Sequence, residues 1–433
     1  MAILQLNDLS IAEELVRKRH FYKMADDATL ETQVKEIIRE VQTKGDAALA
    51  FFTKKFDNVD LSAKGVKVSQ EDILKAQTKV HKEELTALRL LKKRIEKIER
   101  RKLTLMSYII KEKGLEVVQT LRPIESVGCY VPGGEAAYPS TLLMTTVPAK
   151  VAGVPRVVVC SPPTCEGEIN PKILAAASIC GIDEIYRLGG VQAIAALAYG
   201  TETVRPVAKI VGPGNKFVFL AKVIISKDVS IDLPAGPSEI VVLADETANP
   251  KLVALDLISQ SEHTPDNIAG LVTTSGKLAA EVIKEVERLT SGLSNRREVV
   301  VESLSKNGFV FLYDTLDEAV AFVNAFAPEH LEIVTRRPRA IAEKITSAGI
   351  ILLGRYTPVS ASDYCVGTSH VLPTAGFSRI YSELSVFDYV KRVNIVQCSK
   401  EKLRKMKSLT KILAYCEGLP NHYLAMEGRF KDE

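Results

Sequence analysis

The chain has 433 residues, 46% of them hydrophobic and 25% charged, with a net charge of +4. That length suggests two to three domains, and the charge is too small for nucleic acid to be the main partner. The seven cysteines are scattered, with no C-x-x-C pair, which argues against a disulfide framework or a thiolate zinc site and suits a reducing cytoplasm. Met1 to Asp8 lacks the basic-then-apolar order of a signal peptide. No apolar run reaches the ~18 residues that a membrane helix needs.

Residues 1–105 read as helical, the first 25 as a separate arm. Leu30, Val34, Ile37, Ile38 and Val41 have helical spacing, and Gly45 stops the run. Residues 46–56 start a second helix, and 69–102 form a long charged one. The end of the latter, Lys92 to Lys102, interleaves acids with bases, as a solvated face does. Between 115 and 354, β-branched runs alternate with helical segments. Strands are predicted at 156–160, 184–188, 209–211, 229–233, 239–244, 270–274, 309–313 and 350–353. Helices are predicted at 139–152, 171–180, 191–199, 215–226, 250–262, 276–290, 316–325 and 337–347. This alternation predicts α/β architecture, with parallel sheets covered by helices. A break near Pro234–Pro237 favours two Rossmann-like doubly wound domains; a closed eight-stranded barrel is the topological rival. The expected division is 26–128 with 239–385 as one α/β domain, 129–238 as the second, and 386–433 as a C-terminal extension containing a helix-prone basic segment near 400–417.

Three glycine-rich turns lead into a predicted helix: Tyr130-Val131-Pro132-Gly133-Gly134 after a strand-like run, and Gly189-Gly190-Val191-Gln192 and Gly212-Pro213-Gly214-Asn215 after predicted strands. Singly, each is an ordinary turn. Together they suggest a ligand at the carboxyl ends of strands, where helix N-termini can face a pyrophosphate. None is the G-x-G-x-x-G fingerprint, so a dinucleotide would be held in a non-standard way. Pro234-Ala235-Gly236-Pro237-Ser238-Glu239 lacks the G-x-S-x-G hydrolase elbow, leaving Ser238 as a polar ligand in a rigid turn.

Four of the six histidines lie after residue 260. Gln260 and His263 share one face at the end of a helix that Asn249 and Pro250 start and Thr264-Pro265 stops. Glu329-His330 follows Pro328; in a strand the two would point to opposite faces, in a loop both can face one pocket. An imidazole titrating near neutrality suits proton transfer with an alcohol, and a carboxylate can activate water. Asp363, His370, Glu417 and His422 add oxygen and nitrogen donors. Gln260, His263, Asp363 and His422 form a candidate metal set without thiolate, suited to zinc and also to manganese or cobalt.

Seven pieces in order resemble the histidinol dehydrogenase family along nearly the whole chain. They are Gly133-Gly134 with Tyr138-Pro139-Ser140, Val147 to Val154, Gly212 to Asn215, Pro234 to Glu239, Ser259-Gln260 with Glu262-His263, Ala327 to Glu332, and His370 to Thr374. The resemblance implies an enzyme that binds one Zn2+ per subunit and uses NAD. It implies zinc ligands at Gln260, His263, Asp363 and His422, and an acid–base pair at Glu329 and His330. Substrate contacts are implied at Ser238, His370 and Glu417, and NAD contacts at Tyr130, Gln192 and Asn215, on the 129–238 domain. It further implies a cytoplasmic homodimer whose C-terminal segment carries Glu417 and His422 into the neighbour's site. Two positions depart from the family pattern: Ser362 stands where Gly is expected, and Thr368-Ser369 where Asn usually precedes the His.

The implied reaction is the four-electron oxidation of L-histidinol to L-histidine with two NAD. His330 would take the hydroxyl proton, and Glu329 would activate the water that adds to the bound aldehyde. The rivals are a related zinc dehydrogenase of another small polar alcohol such as a sulfonated diol, a zinc hydrolase, and a nucleic-acid binder using 92–102. A pocket matched to a cationic imidazole disfavours the first, the glycine turns the second, and the low net charge the third.

Overall fold

The computed structural model describes residues 3–4, 14–15, 28–61, 64–133, 137–233 and 236–430. Gly134, Pro234, Ala235 and most of the expected arm 1–25 lie outside the described residues. Within that arm, Ile3–Leu4 is a strand, β1, and not helix.

The helices Ala28–Lys44, Asp46–Asp57 and Lys82–Met106 follow the expected periodicity, burying Leu30, Val34, Ile37, Ile38 and Val41 in the first and Leu85, Leu88, Leu91 and Ile95 in the third. Then come β2 (Tyr108–Glu112) and β3 (Leu115–Pro123), both absent from the expected strands.

A five-stranded parallel sheet is built from β4 (Ser126–Tyr130), β5 (Arg156–Ser161), β6 (Glu184–Arg187), β7 (Lys209–Val211) and β8 (Ser230–Ile231), in the order β6-β5-β4-β7-β8. Its connecting helices are started by their own caps: Asn170 accepts the Lys172 N–H before Pro171, and Asn215 accepts those of Phe217 and Val218. The N-terminal helices pack on the helices of this sheet. Residues 28–106 therefore belong with it and not, as expected, with the residues after 239. The reason is apolar continuity: Leu30 to Phe52 join Tyr130, Val158 and Ile194 in one core, and Val68 to Ile95 join Val127, Leu143 and Ile173 in another.

The second sheet is also wholly parallel: β9 (Glu239–Ala244), β10 (Ile268–Thr273), β11 (Phe309–Leu312), β12 (His330–Val334) and β13 (Ile350–Leu353), with β1 on one edge, in the order β1-β11-β10-β9-β12-β13. Two open sheets rule out the barrel. Central β9 is buried at every residue, as a strand covered on both faces must be. The helix Arg297–Asn307 is an addition to the expected elements.

The last strand, β14 (Val390–Cys398), pairs antiparallel with β3 along nine residues and completes a three-stranded sheet with β2. This strand is an addition to the expected extension, for which the sequence predicts only a helix-prone segment near 400–417. The pairing of 390–398 with 115–123 spans most of the chain, beyond the reach of local pattern. The helices Lys400–Cys416 and Pro420–Gly428 follow as a hairpin.

Candidate active site

The two large sheets present opposite edges to their polar clusters. On the six-stranded sheet the cluster lies at the amino ends of the strands. Glu239 opens β9 and His330 opens β12, with Glu329 one residue ahead. Because Glu329 precedes the strand, the alternation rule does not separate it from His330, and its Oε2 lies 3.4 Å from His330 Nδ1. Glu329 Oε2 accepts the Glu239 N–H at 2.7 Å, and Glu239 Oε2 accepts the Glu329 N–H at 3.2 Å, so each carboxylate braces the other's backbone.

His330 Nδ1 lies 3.0 Å from the Glu239 carbonyl oxygen. A carbonyl only accepts, so Nδ1 carries the hydrogen and Nε2 is left as the basic nitrogen. Nε2 is buried and makes no hydrogen bond. Its nearest anion is Asp363 Oδ1 at 3.7 Å, longer than a hydrogen bond. Burial works against a charged imidazole here, but the Glu329 and Asp363 carboxylates outweigh it and hold the His330 pKa well above the usual value. Burial pushes the Glu329 carboxyl upward.

Gln260 lies in the last turn of the helix Pro250–Ser261, started by Asn249 and Pro250 as expected, and His263 follows two residues beyond its end, so the two are not neighbours on one helical face. Asn267 holds that end: its Nδ2 donates to the Gln260 carbonyl at 2.7 Å, and its Oδ1 accepts the Ser238 N–H at 3.1 Å. His263 and His370 both act electrostatically on Asp363, which places three imidazoles, with His330, around one carboxylate. His370 Nε2 pairs with the Thr141 hydroxyl at 3.0 Å, and its Nδ1 lies 3.4 Å from the Asp363 carbonyl. Thr141 belongs to the helix after β4, so this contact ties the two halves of the molecule together.

The donor set suits a metal ion. Gln260 Oε1 and Asp363 Oδ1 are both buried without a hydrogen-bond partner, which is costly unless something electropositive faces them. They lie beside the C-terminus of a helix, whose dipole favours a cation. His422 does not join them within the chain: it is exposed on the C-terminal hairpin, as is Glu417. Among the described residues, no group of three or more His, Cys, Asp or Glu is gathered to hold a metal.

The two departures from the family pattern meet each other. The Ser362 and Thr368 hydroxyls are 3.2 Å apart, closing the loop that carries Asp363 and His370. Ser362 has ordinary helical dihedral angles, φ −60° and ψ −48°, so the backbone there does not require glycine.

On the five-stranded sheet the glycine turns gather at the carboxyl ends, where the strand order reverses between β4 and β7. Gly212 has φ +114°, and a Cβ there would sit 2.1 Å from the Tyr130 carbonyl oxygen, so only glycine fits. Its peptide is gripped on both sides by a buried ion pair. Asp232 Oδ2 accepts the Gly212 N–H at 2.7 Å, Lys222 Nζ donates to the Gly212 carbonyl at 2.8 Å, and Lys222 pairs with Asp232. Tyr130 ends β4 and its phenol oxygen accepts the Gly190 N–H at 3.1 Å; burial pushes its pKa up to about 12, so it stays protonated. Gln192 Oε1 and Ser161 Oγ are buried there without partners. Asn215 Oδ1 is occupied by its cap. The turns fit a pyrophosphate, and the unpartnered polar atoms leave bonds for a dinucleotide to make.

Glu239, Asn267, Thr141, Lys222 and Asp232 had no role in the sequence reading. Glu239 and Asp232 lie in or beside conspicuous motifs, but their partners are brought in from distant segments and no spacing signals them.

Two doubly wound sheets, one with a carboxylate–imidazole cluster and one with phosphate-type turns, define an oxidoreductase of the α/β class. A family model described as histidinol dehydrogenase matches residues 22–430. The chain is 43% identical over 431 residues to histidinol dehydrogenase of Methanosarcina mazei, covering 99% of both chains. It is 45% identical over 406 residues to that of Clostridium acetobutylicum, covering 94% of both. The crystal structure of histidinol dehydrogenase from Elizabethkingia anophelis superposes with a TM-score of 0.89 at 37% identity, covering 93% of this chain and 92% of the other. This chain belongs to the histidinol dehydrogenase family.

Proposed function

We propose that the chain oxidises L-histidinol to L-histidine in two steps, each passing a hydride to NAD, in the cytoplasm. The observation that carries this reading is the buried, unpartnered His330 Nε2, fixed as the basic nitrogen by its Nδ1 contact with the Glu239 carbonyl. Gln260, His263 and Asp363, with His422 of a second subunit, would hold Zn2+. When bound, the ion supplies a fixed point for the nitrogens of the substrate and so sets which carbon is oxidised. NAD supplies the hydride acceptor, and Tyr130, Gln192 and Asn215 would hold it at the five-stranded sheet.

In the first step His330 Nε2, free of its proton once a cation held at Asp363 offsets the carboxylates that raise its pKa, takes the hydroxyl proton as the carbon loses hydride. The Glu329 and Asp363 carboxylates stabilise the imidazolium that forms. In the second, Glu329 accepts a proton from the water that adds to the bound aldehyde. His370 would exchange its longer contact, 3.4 Å to the Asp363 carbonyl, for one to the substrate. Ser238, held by Asn267 through its backbone, would add a second. Enclosure of the aldehyde keeps it from escaping before it is hydrated.

The same reading makes the protein a homodimer. Leu409, Ile412, Leu413, Leu419 and Leu424 are exposed on the C-terminal hairpin, and Ile109, Ile395 and Val396 on the antiparallel sheet next to it. An apolar face of this extent suits association. A hairpin docked across a two-fold axis would bring Glu417 to the ammonium or imidazole of the substrate and His422 to the metal ligands of its neighbour.

The test is NADH formed per histidinol consumed, with and without a chelator. Two NADH, abolished by chelation and restored by zinc, are expected. One NADH would remove the role given to Glu329. None, from folded and metal-loaded protein, would mean that another alcohol is the substrate.

A further inference from the structure

Doubly wound sheets that bind dinucleotides usually place a carboxylate near the end of the second strand, where it accepts a ribose hydroxyl. Here the second strand of the five-stranded sheet is β5, which ends at Ser161 and runs into Pro162-Pro163, with no carboxylate. The carboxylate at this edge comes from elsewhere. Asp57 ends the helix Asp46–Asp57, which packs against the helix Gly190–Tyr199 that follows the second glycine turn. It lies close enough to Tyr130 to act on the charge of its phenol.

Asp57 Oδ2 is buried and makes no hydrogen bond. Other acids around this sheet are engaged. Glu168 meets Lys64 and Arg187, Glu184 meets Arg156, Asp228 accepts the Tyr199 hydroxyl, and Glu202 accepts the Asp46 N–H. Burial pushes the Asp57 carboxyl up to about 6, so it is mostly ionised at neutral pH. A buried carboxylate oxygen can only accept and needs a donor. A pyrophosphate offers acceptors and negative charge, so it cannot be what Asp57 faces. The ribose hydroxyls of a dinucleotide are donors. The β4–β5–β6 half, where Tyr130 and Gly190 lie, is the first mononucleotide half of the sheet, which receives adenosine in this class of fold.

We infer that Asp57 selects the dinucleotide: its carboxylate accepts a hydrogen bond from the adenosine ribose 2′-hydroxyl and repels a 2′-phosphate, so that the chain takes NAD and not NADP. The inference rests on the reading of this edge as the dinucleotide site. Asp57 reaches it from an N-terminal helix outside the sheet, which gives residues 46–57 a function beyond packing.

The experiment titrates NADH and NADPH separately into the full-length, zinc-loaded protein and reads binding by nicotinamide fluorescence. The wild type is expected to favour NADH by at least about tenfold, the discrimination of one hydrogen bond to a charged group. Asp57→Asn keeps the shape and removes the charge; the NADH-over-NADPH preference should fall about tenfold, chiefly through tighter NADPH. Asp57→Ala should also weaken NADH about tenfold. A preference unmoved in both variants overturns the proposal, as does an equal loss for both ligands. Gln192→Ala separates this failure from failure of the site. If Gln192→Ala weakens NADH while Asp57→Asn and Asp57→Ala leave the preference unchanged, the Asp57 role alone is wrong. If NADH binding is unchanged in all three variants, the reading of the edge falls with it.

Discussion

The two sheets have the same architecture, and the proposed function gives them opposite uses. In the proposed function the five-stranded sheet would work at its carboxyl edge, where helices begin and their positive ends suit a pyrophosphate; the turns there are made of backbone, held by Gly212 and the Lys222–Asp232 pair. The six-stranded sheet works at its amino edge, where the helix Pro250–Ser261 ends and its negative end suits a cation; its site is made of buried side chains, Glu239, Glu329, His330 and Asp363. An anionic cofactor and a cationic substrate with its metal can thus be served by one repeated fold. The Thr141–His370 contact joins the two edges.

If the division of labour is correct, damage at the amino edge should cost turnover and spare NAD binding. His330→Asn should lower kcat about 10²–10⁴-fold, the range for a lost general base, with the Kd for NADH unchanged. Glu329→Gln should fall by a similar factor in oxidation of the aldehyde and much less in oxidation of histidinol. Single-turnover traces with each substrate measure both. Equal loss in the two steps would deny Glu329 a separate role.

Mixing His330→Asn with His422→Ala subunits tests whether a site is shared. Each variant alone should be nearly inactive. Random reassociation gives hybrids with one intact site, and about a quarter of wild-type activity should return. No recovery, with exchange shown by mass, would place His422 in its own subunit's site.

At the carboxyl edge the effect should be on stability and on NAD together. Lys222→Met leaves Asp232 as a buried unpaired charge, at a cost of about 3–5 kcal/mol. It also frees the Gly212 carbonyl, so KM for NAD should rise while KM for histidinol stays. A lowered Tm with unchanged KM for NAD would show that the pair serves the sheet alone.

The smallest effect lies beneath the amino edge. Glu332, on β12, shares a buried patch with Asp256, on the helix that carries Gln260. Burial and then the Asp256 charge raise its pKa to about 9, and burial raises that of Asp256 to about 6. A carboxyl with a raised pKa favours folding in its protonated form. Its stability is full below the ordinary value near 4.5 and is lost as pH rises toward about 9. Glu332→Gln should flatten the fall in Tm between about pH 6 and 9, with Val359 still bonded through the amide oxygen. An unchanged slope would mean that other groups set it.

What the sequence determined by itself was local. The α/β alternation, the Asn249 and Asn215 caps and the glycine turns follow from periods of 2 and 3.6, from capping chemistry and from glycine's tolerance of unusual dihedral angles, while the choice of two open sheets over a closed barrel needed the structure. Chemical type also made Gln260, His263, Glu329, His330 and Asp363 conspicuous. Tertiary structure alone decided at which edge of each sheet the polar cluster and the glycine turns lie, because strand order and direction in space are not written in spacing. It placed residues 28–106 on the five-stranded sheet and paired β14 with β3, since neither contact has a local signature. It brought Glu239 to His330, Asp232 to Gly212 and Ser362 to Thr368. Such pairs form where burial makes an unmatched polar atom expensive, and which atoms are buried is a property of the whole fold.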